Sequence, residues 1–306
     1  MSDWRVTLNG VTLVGCDDCV DSLGTLSYPP DGLGLPSLRT EDTAYAQRDG
    51  VSHGSDWYDA RIITLSDVTV CPDCGGCADA RAAVRDILTA WGRQCDDVEL
   101  VIWPPCESTG LDPTVYGPFG VIGRPRVAEV TWERGNSGCA TLLLRFDAVD
   151  HRMYVLGPDG EPGSGAQCAT LTPTVTTFCR SYPRCYPMCY TEQSGSDGGP
   201  VDVDVNSTIA ISPTITLTGP LTDPIVENTT TGDWVGYAGP IPAGETIVID
   251  TEVGTATQSG GSRTHLLTGN PLLSLPPGEN TLRLSAFGSS DSGTAEVCFR
   301  NVVVTA

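Results

Sequence analysis

The chain has 306 residues, a length that favours two domains, and its 40% hydrophobic content is enough for real cores. Only 18% of residues are charged while Gly (35) and Pro (23) are abundant, which points to strands and turns and away from helix bundles. A net charge of −21 repels nucleic acid and anionic membranes, so DNA reading is disfavoured and solubility is the first role of the acidity.

The N-terminus, MSDWRVTLNG, has no basic start and no apolar core, so no signal peptide is expected there. No run approaches the roughly 20 apolar residues of a membrane-spanning helix. Residues 4–14 alternate as a strand pair around Asn9-Gly10, a hairpin signal. Residues 23–60 are rich in Gly and Pro with little periodicity and read as a long loop of the kind that binds something. A strand over 60–70 runs into CPDC. Residues 78–92, ADARAAVRDILTAWG, carry the one convincing helical pattern, with Ala80, Ala83, Val84, Ile87, Leu88 and Trp91 on one face. Asp79 suits the start of that helix and Gly92 its stop. Strands are predicted over 98–103, 119–134 and 139–156, which makes residues 1–156 a β-rich domain with a single helix. Residues 157–206 read as a connector rich in Cys, Pro and Gly. From 207 to 306 short strands alternate with turn signals, the pattern of an all-β sandwich.

Thirteen cysteines are unusual for a chain that folds in a reducing cytoplasm, and the odd count leaves at least one outside any complete set of bridges. RVTLNGVTLVGCDDC and RIITLSDVTVCPDC both run from Arg through a Thr/Val/Leu strand into C-x2-C. This places Cys16, Cys19, Cys71 and Cys74 at equivalent strand ends, a candidate four-thiolate site for one structural zinc. Cys77, at the helix start, is an alternative ligand to Cys74. Disulfides are the rival reading for a chain that passes into oxidising surroundings. Cys139 and Cys298 fall in apolar strands and read as buried and inert, and Cys95 and Cys106 as structural. Cys168, Cys179, Cys185 and Cys189 form a second group that metal or disulfides could staple.

His53, His151 and His265 sit in no catalytic motif, the glycines precede no phosphate-binding Lys, and no carboxylate pair is singled out, so no enzymatic activity is expected.

The phrases PTITLTG, IVENTTTG, IPAGETIVIDT and LLSLPPGENTLRLSA resemble, in order, the C-terminal galectin-like sandwich of siphophage distal tail proteins. Upstream, Asp49-Gly50, Gly54, Tyr58, Arg61, Ile63, Thr64 and Leu65 match that family's N-terminal segment. The cysteines depart from its usual pattern. The resemblance implies a structural protein of the virion tail, assembled in the host cytoplasm. Its N-terminal domain would close into a homo-oligomeric ring, usually a hexamer, that joins the tail tube protein to the tail-tip hub and other minor tail proteins. DNA would only pass through the lumen, which the charge leads us to expect to be acidic, and no membrane is implied. The other function class is a carbohydrate-binding adsorption module, with Trp234 and Tyr237 as stacking aromatics.

Overall fold

The structure, a computed structural model, describes residues 4–15, 23–26, 28–44, 49, 51–71, 77–92, 95–104, 118–133, 138–157, 159–173, 196–197, 199–287 and 292–304. It is strand-rich, as expected, with one α-helix among the described residues. That helix is not long or apolar enough to cross a membrane. The chain divides into two compact units: Met1–Gly165 with Val302–Ala306, and Ala166–Asn301.

The first unit is built on a nine-stranded antiparallel sheet whose main path runs Val11–Val14, Arg5–Leu8, Val98–Trp103, Phe119–Trp132, Ala140–Ala148, Ile62–Val70, Thr25–Leu26. Its first hairpin turns at Asn9 (φ 52°) and Gly10 (φ 75°). Two consecutive left-handed residues make the tight turn that follows strand twist, which is why Asn-Gly marks it in the sequence. Three bulges shape the sheet. In Ile62–Val70 the register slips opposite Leu142/Leu144, and Asp67 takes φ 58°. The extra residue explains why Ile63 and Leu65 are buried and then Val68 and Val70: the inward-facing set shifts by one and stays on the core side. A second bulge lies beside Pro125, where a residue without an N–H is tolerated inside a central strand. The third slips the first hairpin between Val6 and Thr7.

The helix spans Cys77–Ala90 and lays Ala80, Val84, Ile87 and Trp91 into this core, close to the predicted face. Trp91 is fixed edge-on against Phe146, and its Nε1 donates to Val127 O at 3.0 Å. The predicted strand over 139–156 breaks into Ala140–Ala148 and Met153–Val155. The expected loop over 23–60 is more ordered than its composition suggested. Leu38–Thr40 pairs with Asp56–Tyr58, and Thr43–Ala44 with Val51–Ser52.

The second unit is a β-sandwich. One sheet runs Ala166–Leu171, Thr294–Arg300, Thr214–Thr218, Thr246–Asp250, Thr255–Gln258, Gly261–Ser262. The other is centred on Gly278–Ala286, Ile225–Asn228 and Asp233–Tyr237. Thr214–Thr218, Gly278–Ala286 and Thr294–Arg300 alternate buried and open side chains. Buried Asn228 and Asn280 pin its turns. Asn228 Nδ2 donates to Asn280 Oδ1 at 2.9 Å, Asn228 Oδ1 accepts from Thr230 N, and Asn280 Nδ2 donates to Pro276 O and Gly278 O. Buried Thr251 donates to Pro213 O at 2.6 Å, while Asp250 Oδ1 accepts from Glu252 N at 2.9 Å. These are the polar residues of the VENTTTG, PPGEN and VIDT phrases, and the structure gives each a backbone group to satisfy.

The connector expected over 157–206 is not a separate piece at its described ends. Residues up to Gly165 belong to the first unit, while Ala166–Leu171 and Val201–Val205 are strands of the second. The boundary expected at the last strand also moves, because Val302–Val303 pairs with Met153–Val155 in the first unit.

Candidate functional site

In the first unit Arg61 is the largest fully buried side chain, only 2% exposed. Its guanidinium donates to four backbone carbonyls: Gly32 O, Gly34 O at 2.7 Å, His151 O at 3.1 Å and Val304 O. One planar fork thus ties the 32–34 turn, the 151 corner and the last described residue into the end of strand Ile62–Val70. Burial lowers the Arg61 pKa, and the Asp150 carboxylate opposes the shift. The backbone just before that strand is also engaged, since Arg61 N donates to Asp150 O at 2.9 Å. Tyr58 stacks on His151 with ring centroids 5.2 Å apart.

Surfaces suited to contact occur in the same unit. The second half of Phe119–Trp132 is largely open, and Trp132 is 43% exposed. Trp132 closes a shallow cleft of about 440 Å³ with Arg81, Val84, Arg85, Leu88 and Thr89 of the helix. Leu38 and Trp57, on the short paired strands, are also exposed.

Both described disulfides are cross-strand. Cys71 and Cys139 extend the register of Ile62–Val70 with Ala140–Ala148, at a Cα separation of 4.2 Å. Cys168 lies directly opposite Cys298 in the first sheet of the sandwich, at 4.1 Å. Such close pairs are typical of non-hydrogen-bonded positions in an antiparallel ladder, where facing side chains converge. Cys139 and Cys298 are therefore bridged and not inert thiols. Cys168 belongs to a strand and not to a connector cluster. The reason is register, which local apolar character does not reveal. Of the expected zinc set, Cys71 is in a disulfide, and Cys16, Cys19 and Cys74 lie outside the described residues. A sulfur in a disulfide offers no thiolate, so a site including Cys71 is confined to the reduced chain. Cys77 begins the helix, with its side chain outside the described set, as are Cys106, Cys179, Cys185 and Cys189. Cys95 is a free, exposed thiol.

The histidines stay apart. His53 contacts Asp42 at 3.2 Å on the surface, His151 lies at the Arg61 corner, and His265 is exposed in the 3-10 turn Thr264–Leu266. Of the two candidate sugar-stacking aromatics, Trp234 is 39% exposed and Tyr237 only 6%. Tyr237 is a core residue and cannot offer a ring face to a ligand.

Residues 206–302 match the family model described as siphovirus-type tail component, C-terminal domain. The match covers most of the C-terminal unit. The chain is accordingly a structural component of the virion tail. Its fold over both units is similar to that of the Dit protein (gp 19.1) of phage SPP1. The two share 13% identity over 97% of this chain and 98% of that one, with a TM-score of 0.59. A chain of the phage P2 baseplate in its activated conformation with Ca is also similar, at 11% identity over 97% of this chain and 98% of that one, with a TM-score of 0.42. By sequence, no curated protein matches. The tail component was legible from the order of the turn phrases. The disulfide pairing was not, because it depends on long-range register.

Proposed function

We propose that this tail component is a distal tail protein whose copies close into a ring, most simply a hexamer, between the tail tube and the tail-tip hub. The observation that carries the reading is the agreement of the family match over 206–302 with a Dit-like fold spanning both units. Surface features support it. An open-ended sheet and the exposed Trp132, Leu38 and Trp57 suit heterologous contacts, which close into a ring when the rotation permits. Neighbouring copies, the tube protein and the hub proteins are the partners of this reading. The chain acts as scaffold, without catalysis. DNA passes through a lumen lined by part of the −21 charge, where like charge opposes adhesion over a Debye length of about 8 Å. Zinc at Cys16, Cys19, Cys71 and Cys74 is retained only as a proposal for the reduced chain.

Gold-labelled antibody against the C-terminal unit, imaged on intact particles, tests the placement. Label is expected at the distal end of the tail tube. Label on the capsid or at a fibre tip overturns the assignment.

A further inference from the structure

The outward face of strand Thr294–Arg300 carries more than a disulfide. Along this strand Ala295, Val297 and Phe299 point into the sandwich core. Alternation therefore turns Glu296 and Cys298 to the opposite face. Cys168, on the neighbouring strand Ala166–Leu171, is registered directly across from Cys298. That neighbour is the edge of its sheet, so the group is open to ions from the side. Cys168 and Glu296 are exposed and Cys298 is half-buried. Their three potential ligand atoms all lie within 4.8 Å of one another.

We propose that in the reduced chain Cys168, Cys298 and Glu296 form a surface zinc site, and that the disulfide is the metal-free, oxidised state of the same site. Two thiolates and one carboxylate are a donor set zinc accepts. Metal–sulfur bonds of about 2.3 Å and metal–oxygen bonds of about 2.0–2.2 Å fit three ligands that converge from one sheet face. Water completes the tetrahedron, since the exposed side of the face is free of core packing. The antiparallel register keeps Cys168 and Cys298 opposite each other whether or not their sulfurs are bonded, so the ladder that brings the bridge together also presents both residues to one ion.

The two states interconvert by thiol–disulfide exchange with a low-molecular-weight disulfide, RSSR. One protein thiolate attacks RSSR, forming a mixed disulfide and expelling RS⁻. The second thiolate attacks the protein sulfur of that mixed disulfide and expels a second RS⁻. Two electrons pass from the protein sulfurs to RSSR, the Cys168–Cys298 bond forms, and the zinc leaves as the hydrated ion. In a reducing compartment zinc would link the edge strand to its neighbour, and outside it the covalent bridge would take over. The site stands on the geometry of this sheet and does not depend on the tail assignment.

Because the chain holds other cysteines, the test is a difference measurement on full-length reduced protein titrated with Zn²⁺ alone. Wild type is expected to retain one more equivalent of zinc than Cys168→Ser. Glu296→Gln keeps both sulfurs and is expected to bind that equivalent at least about tenfold more weakly, the loss produced even by removing an outer partner. Formation of the Cys168–Cys298 bridge in oxidised Glu296→Gln, read by peptide mapping, verifies that the variant sheet is folded. Adding oxidised glutathione should release from wild type the equivalent that Cys168→Ser never bound. Equal zinc in reduced wild type and Cys168→Ser overturns the site, as does unchanged affinity in Glu296→Gln.

Discussion

The two units anchor their turns and connections by different means. In the sandwich unit, polar side chains close their own turns. Asn228 and Asn280 satisfy each other and adjacent backbone groups, and Thr251 reaches across to Pro213 O. Each anchor sits inside a short phrase, and Asn228 and Asn280 hold backbone groups within two to four residues. The Asn228–Asn280 and Thr251–Pro213 bonds nonetheless span 52 and 38 residues. In the sheet unit one buried cation, Arg61, gathers carbonyls from positions 32, 34, 151 and 304. Its partners are scattered through the chain, and no phrase contains them.

Removing one cross-strand bridge from each unit would break that comparison hardest. The closed segments span separations of 68 residues for Cys71–Cys139 and 130 for Cys168–Cys298. On the chain-entropy account each bridge contributes about 4 to 5 kcal/mol, with the longer loop slightly ahead. Cys71→Ser is expected to lower the unfolding transition of the first unit and Cys298→Ser that of the second, measured by calorimetry under oxidising conditions. If either substitution lowers both transitions equally, the units are not independent folding bodies and the contrast between them fails.

The anchors themselves sharpen the comparison at a smaller scale. Arg61→Met is expected to cost on the order of 3 kcal/mol, since several buried carbonyls lose a charged donor. Arg61→Lys should recover only part of this, because a point charge cannot replace the guanidinium fork. Asn280→Ala is expected to cost about 2 kcal/mol, as it leaves Asn228 Nδ2 and two carbonyls without their donor or acceptor. Denaturant unfolding of each variant reads the order. A milder effect for Arg61→Met than for Asn280→Ala would mean that the cation's desolvation cancels its bonds.

The legible part of the molecule was what local pattern encodes. Asn9-Gly10 declared its hairpin, the spacing of Ala80, Val84, Ile87 and Trp91 declared the helix, and alternating strands with turn phrases declared the sandwich. The illegible part was register. The Cys139 and Cys298 sulfurs looked like apolar strand residues because nothing in CATLLLRF or AEVCFRN names the strand opposite. The bulge at Asp67, which shifts the buried set from Ile63 and Leu65 to Val68 and Val70, is likewise set by packing against Ala140–Ala148. The short pairs at 38–58 escaped because two- and three-residue strands carry no periodicity.

The smallest expected effect lies at the Arg61 corner and is pH-dependent. Burial lowers the His151 pKa below its ordinary 6.5; Asp150 opposes this, and Arg152 and Arg61 add to it. The folded protein therefore holds His151 neutral at a pH where the unfolded chain would bind a proton. Between the two pKa values the unfolded state carries more protons, so stability rises with pH there. The contribution of His151 is present above its unfolded pKa and is lost as pH falls below about 6.5. Protonation would also set a cation against the buried guanidinium whose fork grips the His151 carbonyl. His151→Asn removes the titration and leaves that backbone carbonyl in place. From about pH 7.5 to about pH 5.5, a range that spans the ordinary histidine pKa, wild type is expected to lose more stability than His151→Asn. The remaining slope, common to both proteins, belongs to the carboxylates. Measured by denaturant midpoints across that range, two parallel pH profiles would mean that His151 is equally easy to protonate in the folded and unfolded chains, and that the corner senses no pH.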